Sequence, residues 1–153
     1  MVKIRFVLFF VVVSCYSCKK ENNIGAASQE GLNGRWKMTA ALDKSPATML
    51  TPPPGFDGKV FLEFTGDTFT GKTMRNTISN GILKVNKRDS ITFGNYSSTQ
   101  VAEDQWGGAF MSMLGSCLLQ SLHPCRPSTV TWKSPKRIEI NTAMRYIITL
   151  EKF

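Results

Sequence analysis

Four cysteines and one histidine are the residues of this 153-residue chain with the most distinctive chemistry. Cys117 and Cys125 lie eight positions apart, with His123 between them. In an oxidising compartment such a pair favours a structural disulfide, which by chain entropy would stabilise the fold by about 2–3 kcal/mol. The alternatives are two free, buried thiols or a metal site that includes His123, although three clustered ligands lack the paired spacing of structural zinc sites. We expect the disulfide, and neither a bound metal nor a cofactor.

No other set of side chains has the spacing of a catalytic site. His123 has no nucleophile and acid arranged around it in the order of a catalytic triad. Glu103 and Asp104 are adjacent carboxylates, which suit a helix start better than an acid–base pair. The string from Gly66 to Thr73 matches the phosphate-binding pattern GxxxxGK[ST], but that pattern needs a strand before it and a helix after it. We expect this string inside a hairpin, and we predict that the protein is not an enzyme.

The other two cysteines, Cys15 and Cys18, belong to a predicted N-terminal targeting segment. Lys3 and Arg5 form a basic start, and the apolar run 6–13 follows them. That run is far shorter than the roughly 20 residues of a membrane-spanning helix, so it predicts an export signal. Each cysteine follows a serine, in the manner of the cysteine at which bacterial lipoproteins are cleaved and acylated.

The acylated residue is either Cys18 or Cys15. Val12 gives Cys15 the better apolar residue three positions before it, whereas Cys18 gives a more usual signal length and leaves no unpaired thiol. We favour Cys18; a plain secretory signal or a short buried helix is the alternative to any lipoprotein signal. The predicted divisions are a lipoprotein signal peptide at 1–18, a flexible tether at 19–33 and a folded domain at 34–153.

Charge argues against a nucleic-acid partner. The formal net charge is +8, and removing Lys3 and Arg5 leaves 17 basic against 11 acidic residues, or +6. These charges are scattered, and no run of basic and aromatic residues resembles a stacking platform for bases. We expect a solvated surface, with weak attraction to anionic lipid headgroups as the alternative.

Apolar residues at every second position predict a mostly antiparallel β body. Glycine followed by aspartate at Gly66-Asp67 suits a two-residue type II′ turn within a hairpin. Ile138 and Ile140 are expected to face Ile148 and Leu150 across neighbouring strands. The predicted strands and hairpin are Gly34–Leu42, Val60–Lys72, Ile82–Asn86, Ser90–Phe93, Thr129–Lys133, Arg137–Asn141 and Met144–Lys152.

One helix is predicted, from Glu103 to about Leu122. Its apolar residues recur at spacings of three and four, which gives a single buried stripe. The stripe consists of Trp106, Phe110, Met113, Leu114, Cys117 and Leu118. The predicted fold class is mainly β (α+β): a curled antiparallel sheet or small barrel of about seven or eight strands, with this helix packed against it.

The long segment from Asp43 to Lys59 is predicted to be a loop, because Pro46 and the run Pro52-Pro53-Pro54 prevent a strand from pairing through its middle. Rigid scaffolds commonly carry function on loops, so this loop and the neighbouring strand edges are the predicted working surface. The alternative is a carrier of a small apolar ligand inside the barrel. The residues that would line its pocket, unless they simply pack together, are Phe61, Phe69, Trp106 and Phe110.

Several residues and short motifs recur in a characteristic order. They are Leu32-x-Gly34-x-Trp36, Phe64, Gly71, Asn76, Asn80-Gly81, Ile91-x-Phe93-Gly94, Ser98-Thr99-x-Val101-Ala102, Phe110, Leu114 and the closing strand to Leu150. In this order they resemble the META domain family (HslJ-like proteins). The resemblance covers residues 31–153. It implies a β-dominated fold with one helix, often lipid-anchored in the envelope, in a family without an assigned enzymatic reaction.

The sequence departs from that family at two positions. Many members resemble G-C-N in the middle of the domain and T-x-M-A-C before the helix, and these two cysteines suggest a disulfide. Here the positions are Arg75 and Glu103. We expect an ion pair within about 4 Å in place of the bridge, which would contribute about 0–1 kcal/mol if exposed.

Together these features predict a non-enzymatic, lipid-anchored protein of the bacterial cell envelope, with the outer membrane as the expected location. It would serve as a binding or accessory module in envelope integrity or stress tolerance. Its expected partners are the membrane, through the N-terminal lipid, and an envelope protein or small ligand. We expect a monomer that binds no nucleic acid.

Overall fold

The computed structural model describes residues 29–86, 89–115 and 126–153. These residues form ten strands and two helices. In chain order the elements are α1 (Gln29–Leu32), β1 (Gly34–Asp43), β2 (Thr48–Leu50), β3 (Phe61–Thr65), β4 (Thr68–Lys72), β5 (Thr77–Asn86), β6 (Ser90–Phe93), β7 (Ser97–Ser98), α2 (Gln105–Leu114), β8 (Ser128–Ser134), β9 (Arg137–Asn141) and β10 (Tyr146–Lys152).

The strands make one antiparallel sheet that closes into a barrel. Eight strands form the ring, in the order β10-β9-β8-β6-β5-β4-β3-β1, and β1 pairs with β10 to close it. The mainly β fold class is therefore confirmed, in its barrel form. β2 pairs with the second half of β1 and β7 with the first residues of β5, so both lie outside the ring. Closure removes the free edges that an open sheet would leave.

Alternation of side chains explains the buried face of β1, with one irregularity. Trp36 and Met38 are buried, but the next fully buried residue is Ala41, whereas strict alternation would place Ala40 there. The register against β10 shifts between Met38 and Ala40. Such a β-bulge adds a residue to one strand and reverses which side chains point inward beyond it.

The predicted turns and cross-strand neighbours are confirmed where the structure describes them. Gly66 has a φ of 58°, whereas Asp67 does not have a positive φ, which is the arrangement of a type II′ turn. This turn joins β3 to β4, so the string that matches a phosphate-binding loop lies in a hairpin. Ile140 faces Ile148, and Ile138 faces Leu150, as expected.

Helix α2 begins two residues later than predicted, because Asp104 is its N-cap. The backbone of Asp104 is extended, and its carboxylate accepts a hydrogen bond from the Gly107 N–H at 2.7 Å. The described helix ends at Leu114, and the predicted continuation to Leu122 lies outside the described residues. The helix packs against β10 and β1. Its buried large side chains are Trp106, Phe110, Met113 and Leu114.

Three local elements differ from the sequence prediction. β5 starts at Thr77, before the predicted start at Ile82. β2 lies within the predicted loop. Helix α1 falls within the predicted tether, and Leu32 is fully buried there. The Leu32 carbonyl accepts a hydrogen bond from the Trp36 indole at 2.6 Å, since a buried indole N–H needs a partner.

Candidate binding site

A cleft lies between β2 with the residues after it and the beginning of helix α2. Its volume is about 360 Å³, which is within the range of small-ligand sites. It occurs at the loop that the sequence predicted as the working surface. The lining residues are Met49, Leu50, Thr51, Pro53, Asp104, Gln105 and Trp106.

The loop side of the cleft is held at its start by an ion pair. The Asp43 carboxylate is buried and accepts hydrogen bonds from Arg145 Nε at 2.7 Å and from the Ser45 N–H at 3.1 Å. The Arg145 carbonyl in turn accepts the Lys44 N–H at 2.9 Å. The hydrogen bond from Arg145 lowers the pKa of Asp43, and burial of the carboxyl opposes this shift. These contacts fix the loop to the turn between β9 and β10.

The far end of the loop is held at the surface. Lys37 Nζ lies 2.7 Å from the Asp57 carboxylate, and the Phe56 N–H donates to the Pro53 carbonyl at 3.0 Å. The Lys59 ammonium lies 4.4 Å from the centre of the Phe56 ring, a cation–π contact. The loop is therefore attached at both ends, which positions the β2 segment between them.

Strand β2 presents one edge to β1 and leaves the other without a strand partner among the described residues. It pairs through Ala41–Asp43 of β1. Leu50 is half-buried and packs on the core, whereas the Met49 side chain is 57% exposed. Backbone N–H and C=O groups on an unpaired edge remain available to another extended chain.

The helix side of the cleft supplies one charge and an apolar wall. Asp104 Oδ1 accepts the Gly107 N–H, while Oδ2 makes no hydrogen bond or ion pair with the described residues. Trp106 is almost completely buried, so only a small part of it reaches the cleft surface. Apolar groups beside one carboxylate and a strand edge can recognise a ligand, but they offer no second titratable group for acid–base chemistry.

Behind the cleft, Asn76 fixes the segment that leads into the helix. Its Nδ2 donates to the Val101 carbonyl at 2.7 Å, and its Oδ1 accepts the Val101 N–H at 2.8 Å and the Thr99 hydroxyl at 3.1 Å. The Asn76 side chain is buried. A buried amide with this many partners strongly determines local geometry. Asn76 therefore positions residues 99–103, which precede the N-cap.

Arg75 and Glu103 come to the same region, but their charges are not paired. Among the described residues, no nitrogen of Arg75 lies within 4.0 Å of a Glu103 carboxylate oxygen. Arg75 instead donates to the Ala102 carbonyl at 2.9 Å. Glu103 Oε1 accepts from the Thr73 hydroxyl and Asn76 Nδ2, and its Oε2 is buried without a partner. Hydrogen bonds to neighbouring polar groups thus replace the direct ion pair.

The remaining predicted site residues fall outside the described residues. They are the lipidation candidates Cys15 and Cys18, the disulfide partners Cys117 and Cys125, and His123. The lipidation and disulfide therefore remain predictions. Within residues 29–86, 89–115 and 126–153, no three His, Cys, Asp or Glu side chains gather closely enough to hold a metal ion. No helix in these ranges has the length and apolar composition to span a membrane.

The proposed lining of an interior ligand pocket is packed into the core. Phe69 and Phe110 are essentially inaccessible, whereas Phe61 is only half-buried. The Phe69 ring centre lies 5.4 Å from that of Phe93 and 6.5 Å from that of Phe64, in edge-to-face contacts. This arrangement favours close packing over a role of these rings in lining a ligand space.

Sequence reasoning identified the loop but missed the partner surfaces that complete the cleft. Asp104 was recognised as part of a helix start, which is correct, yet nothing in its spacing shows that the helix start faces β2. The only sequence signal at Asn76 is its place in the family resemblance. A single buried asparagine has no periodic pattern, because its partners at Thr99 and Val101 are more than twenty residues away.

Comparison with known proteins supports the fold. No protein-family model matches the sequence, and a comparison with curated proteins gives no significant match. Among solved structures, the chain is similar to the NMR structure of a protein from Burkholderia xenovorans, with a TM-score of 0.58 and 16% identity. The match covers 84% of this chain and 88% of that one. At this identity the likeness shows a shared barrel fold.

Proposed function

We propose that this protein is a non-enzymatic, lipid-anchored binding module of the bacterial cell envelope, in keeping with its resemblance to the META domain family. The observation that carries the proposal is the cleft between β2 and helix α2. It occurs on the proline-containing loop that the sequence marks as the working surface. The barrel supports this loop, and its buried aromatic core gives the rigidity that recognition from a loop requires.

The composition of the cleft favours binding over catalysis. Asp104 is the one ionisable side chain among its lining residues, and the hydrogen bond from Gly107 engages it as a helix cap. An acid–base or nucleophilic mechanism needs at least two groups that converge on a reacting atom. The cleft therefore supports a partner-binding role in envelope integrity or stress tolerance.

The membrane attachment rests on the N-terminal sequence. A basic start, a short apolar run and a serine before each cysteine favour acylation at Cys18, with Cys15 as the alternative. A lipid anchor and tether would concentrate the barrel at the membrane surface, so that even weak contacts at the cleft gain from effective concentration. The outer membrane is the expected location.

Metabolic labelling tests the anchor. Bacterial cells expressing the full chain are grown with an alkyne-bearing palmitate analogue, and the protein is compared with the Cys18→Ser, Cys15→Ser and doubly substituted variants. We expect label and membrane recovery in the wild type and in Cys15→Ser, and loss of both in Cys18→Ser and the double variant. If Cys15→Ser loses the label and Cys18→Ser keeps it, Cys15 is the acylated residue. An unlabelled, freely soluble wild-type protein would refute the proposal.

A further inference from the structure

We propose that the cleft binds an extended peptide segment, which adds a strand to the free edge of β2 and places a lysine or arginine side chain against Asp104. This deepens the proposed function and rests on it, since it names the kind of partner that the same surface recognises. Three independent features carry the proposal: a strand edge, apolar contacts on both sides of the cleft, and an acidic group whose Oδ2 has no partner among the described residues.

The first feature is the backbone edge. β2 is bonded to β1 on one side only, and Thr48, Met49 and Thr51 are all exposed. In strand addition, an incoming chain forms main-chain hydrogen bonds with such an edge. Pro46 precedes the strand and Pro52 follows it, and proline has no N–H to donate. Ala47 has a φ of 65° and is not extended, so the usable edge lies within Thr48–Thr51. This edge is enough for a short peptide segment and too short to extend the sheet far.

The second feature is the pattern of apolar surface. Met49, Leu50, Pro53 and Trp106 all contribute to the cleft wall, and Met49 is 57% exposed. An extended peptide directs alternate side chains to opposite faces. One set would enter the cleft and contact this apolar wall, including Met49, while the other set would face away from it. Methionine suits this role because its unbranched thioether adapts to varied partners.

The third feature is charge. Asp104 is the sole charged residue that lines the cleft, and its Oδ2 has no partner among the described residues. Glu103 precedes it in the chain, so both carboxylates disfavour an anionic ligand here. A lysine or arginine on the bound segment would pair with Asp104 at the cleft rim. Charge complementarity of this kind selects among partners that make similar backbone contacts.

Selection from a displayed library of random nonapeptides tests the proposal with the full-length protein in detergent micelles. We expect the enriched peptides to carry lysine or arginine at one position, with alternating apolar residues and no central proline. Nuclear magnetic resonance of the labelled protein should show that these peptides perturb the amides of Thr48–Thr51 and Asp104–Trp106. Failure to enrich peptides, or perturbations confined to other strands, would overturn the proposal.

The charge contact has a matched variant. Asp104→Asn keeps an N-cap oxygen for the Gly107 N–H and removes only the charge, because asparagine caps helices as well as aspartate does. We expect Asp104→Asn to raise the Kd of the peptide about tenfold. The control is Glu63→Gln, which should leave the Kd unchanged because Glu63 is an exposed carboxylate outside the cleft. Equal affinity for wild type and Asp104→Asn would refute the role of the charge.

The backbone contact is tested on the ligand. Replacing alternate peptide N–H groups with N-methyl groups leaves side chains and charge intact but removes donors to β2. We expect one alternate set of N-methyl groups to weaken binding more than tenfold and the other set to have little effect, since only one set faces β2. If neither set of N-methyl groups weakens binding, strand addition is excluded. If labelling confirms acylation while these peptides fail, the envelope assignment stands and only the peptide inference falls.

Discussion

The barrel interior and the β2 cleft differ in how far their side chains are buried and their strands are paired. Inside, Phe64, Phe69 and Phe93 are inaccessible and in contact, and the surrounding strands are paired on both sides over most of their length. At the cleft, a three-residue strand has one open edge, an exposed methionine and prolines on both sides. Packing is thus concentrated in the interior, whereas the cleft is the surface that we propose for recognition. Substitutions in the two regions should separate these properties.

The largest expected effect is in the interior. Phe69→Ala would remove a ring that contacts Phe64 and Phe93, and the rigid barrel cannot collapse to fill the space. We expect a loss of about 3–5 kcal/mol in the free energy of unfolding, measured by urea denaturation. The matched change at the cleft is Met49→Ala, which should alter stability by less than about 0.5 kcal/mol but weaken peptide binding. Comparable losses of stability in both variants would contradict the separation.

The polar support behind the cleft should come next. Asn76→Ala would remove the part-buried hydrogen bonds that the side chain makes with the Val101 N–H and C=O and with the Thr99 hydroxyl, so we expect a loss of about 2–3 kcal/mol in unfolding free energy. Amide hydrogen exchange should also become faster at residues 99–103. Asn86→Ala is the control, since Asn86 is exposed and, within the part of the chain that the structure describes, its side chain makes one long hydrogen bond of 3.5 Å. Unchanged exchange at residues 99–103 would show that Asn76 does not position this segment.

The ion pair at the base of the loop predicts a dependence on pH. Arg145 lowers the pKa of Asp43 in the folded state, so the stabilisation is complete above the unfolded pKa of about 4 and disappears as pH falls through the lower, folded pKa. Urea midpoints of the wild type should therefore exceed those of Asp43→Asn at pH 5–7, and the gap should narrow between pH 4 and pH 2. A gap that stays constant to pH 2 would contradict this assignment.

The smallest effect distinguishes two neighbouring glycines near the start of helix α2. A Cβ on Gly108 would meet nothing within 4 Å, so Gly108→Ala should stabilise the helix by about 0.5–1 kcal/mol. A Cβ on Gly107 would overlap the Glu103 carboxylate, which Thr73 and Asn76 hold in place. We expect Gly107→Ala to destabilise by about 1 kcal/mol. Thermal unfolding of both variants tests this, and a Glu103→Ala background should make Gly107→Ala neutral or stabilising.

Much of the barrel could be predicted from the sequence because local patterns encode it. Alternation located most strands, and the Gly66-Asp67 pair predicted its turn correctly. Local patterns could not predict β7, a two-residue strand whose formation depends on pairing with β5. They also placed Leu32 in the tether, although its burial follows from contacts that form only when the barrel closes. Tertiary packing overrode local composition at both places.

The cleft could be predicted only in part, for the same reason. The prolines identified the loop, since their effect on the backbone is local. Met49 and Asp104 line the same cleft although they are 55 positions apart in the sequence, and no periodic pattern of residues predicts that they lie near each other. The Arg75–Glu103 prediction located the right region but the wrong partners. The family resemblance suggested that these two positions lie close together, whereas a residue pattern does not show the backbone carbonyls and hydroxyls that compete for their side chains.

Site-specific photocrosslinking in living cells tests most directly whether the cleft is the working surface. p-Benzoylphenylalanine replaces Met49 at the cleft or Thr70, an exposed residue of β4, in the full-length protein. We predict discrete protein adducts from position 49, their loss when Asp104→Asn is added, and no adduct of the same size from position 70. Adducts from position 70 alone, or adducts from position 49 that persist with Asp104→Asn, would contradict recognition through the β2 edge and Asp104.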